Sequence, residues 1–456
     1  MQKKLLAIIV ALIIIVAAFA AWQLTLNSPS AARSIRIGLV APLNTPVGQD
    51  MSKAAQMAVS EINDAGGIFV AEWNTKVNIT IINADTVDDN PANAATPVAH
   101  AIVTNQVDLL IGGYASSGTL ASEIPAIDNK VPFIISGATN RLVTRRGPQG
   151  DYGGFGPNGN YSISDAEGMS YVFHYSTTTY HYSKTVVDFF ATEMKPMVAA
   201  DRNFRLAILY RNDALGIGVE QATKYWIENE TLPIDLVADR SYDPTITDYK
   251  TDLAAVAASN PDAVFVVDNP DKTPLVIKQG WNDVGLKTVY IAVENNQAPV
   301  FFSLLGETGN GQLLESNIDP FMIPSYLPAL QTYSQKFNET YGVLPGLDGT
   351  KVYDSFYVAK DAIERAGTVD KTAVRTAIEK TNMNQMRIMT QTGKIQFSTA
   401  VNYHEIDPIT FIEQLYWDTT SSQLKSQIVW PASAPGVSNL KQADFTLPTG
   451  YQAGHS

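Results

Sequence analysis

Ile111-Gly112-Gly113-Tyr114-Ala115-Ser116-Ser117-Gly118-Thr119 sets small polar residues directly behind an apolar, strand-like run that begins at Val107. The arrangement recurs at Ile134-Ile135-Ser136-Gly137-Ala138-Thr139. It recurs again, with a carboxylate in place of hydroxyls, at Tyr290-Ile291-Ala292-Val293-Glu294-Asn295. In an open α/β sheet, ligands sit in the crevice beyond the carboxyl ends of the strands. Two hydroxyl clusters and one lone carboxylate at such ends suit a small molecule carrying both a negative and a positive group. That is a binding site without an evident catalyst.

The flanking sequence supplies the sheet. Ile35 to Ala41 reads as a strand, Gln49 to Asn63 as a helix stopped by Gly66-Gly67. Val77 to Ala84 is the next strand and Pro91 to Thr104 a helix opened by its proline, behind Asp88 and Asp89. Strand Val107 to Ile111, helix Thr119 to Asp128 and strand Pro132 to Ser136 complete a series of the kind that builds right-handed βαβ units and a parallel sheet. A second series follows. Its strands are Phe204–Tyr210, Ile234–Arg240, Ala263–Val267 and Thr288–Val293, and its helices Ile217–Glu228, Tyr249–Ala258 and Thr273–Asn282. Beyond Pro328 three helices follow, Ala329–Tyr341, Val352–Ala366 and Lys371–Lys380, then short strand candidates at Ile395–Phe397, Ile409–Leu415 and Gln427–Trp430.

A chain of 456 residues exceeds one ordinary hydrophobic core, so two α/β lobes are expected. Hydrophobic residues at 45% and charged residues at 17% describe a globular protein. The formal charge of −13 speaks against a nucleic-acid partner, which selects clustered Lys and Arg. At the amino terminus Lys3 and Lys4 precede an uncharged apolar run from Leu5 to Trp22. A secretory core spans about 7–15 residues and a spanning helix about 17–25. The run predicts a single membrane anchor through residues 5–22, and cleavage near Ala20, in Ala18-Phe19-Ala20, is the alternative. Both place the rest of the chain outside the cell. The absence of cysteine excludes a lipid-modified cysteine, disulfides and thiolate metal sites. Sequons at Asn78, Asn160, Asn229 and Asn338 agree with an exterior location.

The common catalytic motifs are missing from the sequence. There is no P-loop and no G-x-S-x-G elbow, and His404-Glu405 lacks the second histidine of H-E-x-x-H. His174 and His181 stand seven apart, but their Ser/Thr/Tyr-rich surroundings speak against a helix that would pair them on a metal. The glycines of the stretch Arg146 to Tyr161 match no phosphate-binding fingerprint, and the stretch reads as a surface insertion. No cofactor and no metal site is expected, and the chain is not read as an enzyme. A hydrolase using His404 or a carboxylate pair stays open as an alternative without a motif.

Several segments carry a family resemblance in order along residues 35–430. They are Ile35-Arg36-Ile37-Gly38-Leu39-Val40-Ala41-Pro42-Leu43, the helix end Ala58-Val59-Ser60-Glu61-Ile62-Asn63-Asp64-Ala65-Gly66-Gly67-Ile68, the three strand-end stretches, and Tyr210-Arg211-Asn212-Asp213-Ala214-Leu215-Gly216-Ile217-Gly218. Together these resemble the extracytoplasmic substrate-binding proteins of branched-chain amino-acid ABC transporters, the Leu/Ile/Val-binding type. The resemblance implies two doubly wound parallel-sheet lobes joined by a multi-crossing hinge, the type I periplasmic-binding-protein fold. Lobe 1 is expected from 35–178 plus 318–397 and lobe 2 from 179–317 plus 398–430, after an anchor (1–22) and linker (23–34) and before a tail (431–456).

The resemblance also implies roles. Ser116 and Ser117 would receive a ligand α-carboxylate at the start of a helix, where N–H groups converge. Gly137, through its carbonyl, and Thr139 would receive the α-ammonium, and Glu294 would close on that ammonium from the second lobe. Tyr114 and Asp268 complete the candidate site. Each has a plainer alternative: the serines as helix caps, Glu294 as a solvated loop residue. The sequence departs from the family at Asp50 and Leu215, near positions often filled by aromatics, and at Asp268-Asn269 and Arg141. Extra acids there would suit a polar or cationic side chain better than leucine. The implied function is capture of a free amino acid or close analogue for an ABC permease and ATPase on separate chains. A sensing receptor ectodomain, or a binder of amides, urea or short peptides, is the alternative.

Overall fold

Strand β1 (Ile35–Ala41) is buried at six of its seven positions, as a strand covered on both faces must be. The computed structural model describes residues 33–87, 90–147, 163–318, 327–384, 387–399 and 404–452. The apolar run 5–22, Ala20, Asp88, Asp89, Asn160 and most of the stretch 146–161 lie outside the described residues. Among the described residues no helix is long and apolar enough to cross a membrane.

Two sheets organise the chain. The first has the order β4-β1-β5-β6-β7, with β4 Ile79–Asp85, β5 Leu109–Gly112, β6 Phe133–Ile135 and β7 Val172–His174, all parallel. A small hairpin, β2 (Ile68–Val70) with β3 (Thr75–Val77), precedes β4. The second sheet has the order β14-β13-β12-β11-β10-β8-β9. There β8 (Phe204–Arg211), β9 (Ile234–Tyr242), β10 (Ala263–Val267), β11 (Val289–Ala292) and β12 (Leu313–Ser316) are parallel. β13 (Phe411–Asp418) and β14 (Gln423–Trp430) add an antiparallel edge.

Helices fill the crossovers. Around the first sheet these include α1 (Pro46–Asp64), α2 (Pro91–Val103) and α3 (Ser116–Asp128). α4 (Thr179–Phe189) belongs to the second core through Tyr182, Val186, Val187 and Phe189. α5 (Ala214–Asn229), α6 (Lys250–Ala258), α7 (Thr273–Lys278) and α8 (Pro299–Leu305) serve the second sheet. α9 (Pro328–Tyr341), α10 (Leu347–Ala366) and α11 (Lys371–Glu379) return to the first core. The chain thus passes between the sheets after β7, after β12, and again before β13.

Helix bounds, two short strands and the tail differ from what the sequence suggests. Helix α3 begins at Ser116 rather than Thr119, because Ser116, Ser117 and Gly118 are acceptable first-turn residues once Ala115 takes the cap position. The Ser/Thr/Tyr-rich stretch around His181 does form a helix: Thr178 starts it and its backbone N–H donates to His181 Nδ1 at 3.1 Å. β7 and β12, of three and four residues, were not expected; every residue of both is buried. The tail is not loose either, since Phe445 is buried in the second core and Gln414 donates to the Thr446 carbonyl at 2.6 Å.

Candidate functional site

In each sheet the first strand has neighbours reached by crossovers in opposite directions: β1 between β4 and β5, β8 between β9 and β10. At such a switch point the loops diverge and leave a crevice. The two crevices face each other. A cavity of about 620 Å³ is lined by Asn44, Thr45, Tyr114, Ala115 and Ser117 from the first, and by Arg211, Asp213, Asn269, Asp271 and Lys272 from the second. Pro42, Val47, Pro91, Pro270 and Val300 give it apolar wall.

Helix α3 opens onto this cavity with no side chain capping its start, so neither serine caps it. Ser117 Oγ instead accepts from the Ala214 N–H at 3.2 Å, joining the starts of α3 and α5 across the gap. Ser116 Oγ accepts from the N–H groups of Thr139 and Asn140 at 3.4 and 3.3 Å, fastening the β5 loop to the β6 loop. Asn140 Nδ2 donates to the Ala214 carbonyl at 2.6 Å. Gly137 lets these loops touch, because a Cβ there would lie 2.4 Å from the Gly113 carbonyl oxygen.

Behind the cavity lies a buried polar floor. Thr139 Oγ1 and Tyr182 OH are 2.7 Å apart. Burial, then the charges of Glu294, Glu315 and Asp213, push the Tyr182 phenol well above its ordinary pKa, against the Thr139 hydrogen bond. Glu294, in the turn after β11, is 1% exposed and pairs at 2.9 Å with Lys351 of α10, itself fully buried. The ammonium of Lys351 also donates to Ser176 Oγ at 2.8 Å. Glu315 on β12 is fully buried beside them. Burial first, and then the Glu294 charge, raise its carboxyl far above the usual range.

Of the seven residues singled out in the sequence, Tyr114 and Ser117 line the cavity, and Ser116, Gly137 and Thr139 build the wall behind it. Glu294 belongs to the buried floor and does not line the cavity; it is no solvated loop residue. Asp268 is fully buried and turned to Arg211 Nη1 (3.3 Å), Tyr242 OH (2.8 Å) and the Asn269 N–H (2.7 Å). Asp50 accepts from the N–H groups of Gly346 and Gly349 at 3.1 Å, at the start of α10, and burial raises its pKa to about 6. Asp50 and Asp268 are therefore committed within the chain.

Arg211, Tyr182 and Lys351 were missed. Arg211 is the last residue of β8, the same signal that selected the other strand ends. Lys351 carries no such signal. His404, the residue of the hydrolase alternative, is buried, contacts the Val172 carbonyl at 3.0 Å and stacks on Phe173 with ring centroids 4.2 Å apart. It does not reach the cavity. His174 Nε2 is held 2.6 Å from the Ala138 carbonyl oxygen.

A family model described as periplasmic binding protein matches residues 34–412. The Leu/Ile/Val-binding protein homolog 3 of Brucella melitensis is 23% identical over 383 residues, 83% of this chain and 91% of that one. Among solved structures, the branched-chain amino acid transporter substrate binding protein LivJ of Streptococcus pneumoniae, in complex with isoleucine, matches with a TM-score of 0.68 at 17% identity. That match covers 88% of this chain and 100% of the other. A solute binding protein of an ABC transporter from R. palustris, in complex with benzoate, matches with a TM-score of 0.69 at 15% identity, covering 91% and 99%. These likenesses show the type I periplasmic-binding-protein fold with its parallel sheets.

Proposed function

The chain belongs to the periplasmic binding protein family, and we propose from that membership that it captures a free amino acid or a close carboxylate analogue for an ABC importer. It is a binding protein of ABC-transporter type. The lobes, 35–178 plus 318–397 and 179–317 plus 398–430, close on the solute and present the loaded shape to a separate permease and its ATPase. No bond is made or broken. The chain works outside the cytoplasm, held at the membrane through residues 5–22.

One observation carries the reading. The switch-point crevices of both sheets converge on a single cavity, with Ser117 of α3 bonded to the first N–H of α5 across it. A carboxylate at the uncapped start of α3 receives N–H groups and a favourable dipole. Thermal-shift screening against the amino acids, their carboxylate analogues, amides, urea and short peptides tests it. A rise in melting temperature with an amino acid or carboxylate analogue is expected; a response to amides, urea or peptides alone would replace the proposal.

A further inference from the structure

Among the described residues four charged side chains line the cavity, all from the second half: Arg211, Asp213, Asp271 and Lys272. Two of them answer each other. Arg211 Nε donates to Asp213 at 2.6 Å, and its Nη1 reaches Asp268 at 3.3 Å. Asp213 Oδ1 in turn accepts from the N–H groups of Leu215 and Gly216, both at 3.1 Å. Asp271 is exposed, so water answers its charge. Lys272 is different. It is half-buried, and its ammonium makes one described bond, to the Ile246 carbonyl at 3.5 Å, the outer limit of a hydrogen bond. Pro244 and Thr245, just before Ile246, line the same cavity, so the ammonium stands at its wall. With three protons to donate it can still take an anion.

The first half presents the uncapped start of α3 and the Ser117 hydroxyl, which accepts from Ala214 and keeps its own proton to donate. A solute carboxylate received there leaves the Lys272 ammonium to meet whatever else the solute carries. A neutral body would draw that ammonium further out of water with nothing to answer it, whereas a second carboxylate forms a charge-assisted bond. The apolar wall of Pro42, Val47, Pro91, Pro270 and Val300 suits a short carbon chain joining the two. We infer that Lys272 is a specificity-determining residue that reads a second negative charge, so that the preferred solute is a small organic diacid with one carboxylate on each half. The inference rests on the carrier role proposed above, which supplies the first carboxylate.

Calorimetric titration of the full chain with near-isosteric pairs tests it: glutamate against glutamine, aspartate against asparagine, and glutarate against its monoamide. In at least one pair the dicarboxylate should bind the wild type about tenfold tighter than its amide. Lys272→Met should narrow that preference about tenfold, while Lys272→Arg keeps it. Wild-type protein binding each amide as tightly as its dicarboxylate overturns the inference and leaves the carrier role standing. An unchanged preference in folded Lys272→Met, checked by circular dichroism, overturns it as well. Should Lys272→Met not fold, Lys272→Gln takes its place, and should neither fold the wild-type comparison decides alone. Binding of no member of any pair overturns the inference. The carrier role falls with it only if no amino acid or carboxylate analogue raises the melting temperature.

Discussion

The hydroxyl of Thr139 and the phenol of Tyr182 meet at 2.7 Å with both side chains shut away from solvent, one from the loop after β6 and one from α4 of the opposite core. A buried hydroxyl deprived of its partner costs about 1–3 kcal/mol, whereas removing both groups together can be nearly neutral. Thr139→Ala and Tyr182→Phe should each destabilise by about that amount. The double variant should cost less than the sum of the two. Urea denaturation of the four proteins checks the coupling, and strictly additive losses would show the pair to be energetically idle.

Glu294→Gln should destabilise by about 3–5 kcal/mol, because Lys351 is then left as a buried cation without a counter-charge. Glu294→Gln combined with Lys351→Met should recover most of that loss. Chemical denaturation measures both, and a single variant as stable as the wild type would show that water reaches Lys351.

Ser117→Ala removes the acceptor of the Ala214 N–H, and Ser116→Ala the acceptor shared by Thr139 and Asn140. Each should weaken solute binding by about 1–3 kcal/mol, as unsatisfied buried groups do. The long contacts of Ser116 place it at the lower end. Calorimetry on the best solute from the screen gives the comparison.

Gly137→Ala should cost about 1–3 kcal/mol through overpacking, since its methyl group would lie 2.4 Å from a backbone oxygen that cannot step aside. A melting curve superimposable on that of the wild type would mean the two loops are not held at this distance.

The raised pKa of Asp50 sets a pH dependence. Its carboxyl titrates near 6 in the folded protein against the ordinary value of 3.8. The folded state therefore holds the proton more tightly, and this contribution to stability is present below about pH 4 and lost as pH rises to about 6. Asp50→Asn should flatten the melting temperature across that interval. A slope identical to that of the wild type would place the effect elsewhere.

Much of this architecture is legible in the chain. β8 and β10 are apolar runs read within a residue or two of their ends, because a strand buried on both faces cannot afford polar interruptions. The ends of α1, α2 and α11 are marked by glycine, proline or charge. The site was half legible. Strand ends point to Tyr114 and Ser117, which line the cavity, and to Ser116, Thr139 and Glu294, which lie behind it. Lys351 was not legible, for two physical reasons. Helix α10 begins at Leu347, so a start read at Val352 leaves the lysine in a loop. A lone lysine also reads as solvated, and its burial is set by Glu294, 57 residues earlier.

The first half of the molecule grips Ala214 by its main chain on both sides, Ser117 accepting from its N–H and Asn140 donating to its carbonyl. A grip on peptide atoms is blind to the side chain that position 214 carries. A substitution at position 214 can therefore keep both of these bonds between the halves. This joint between the halves is thus set by peptide atoms at position 214, not by the side chain there.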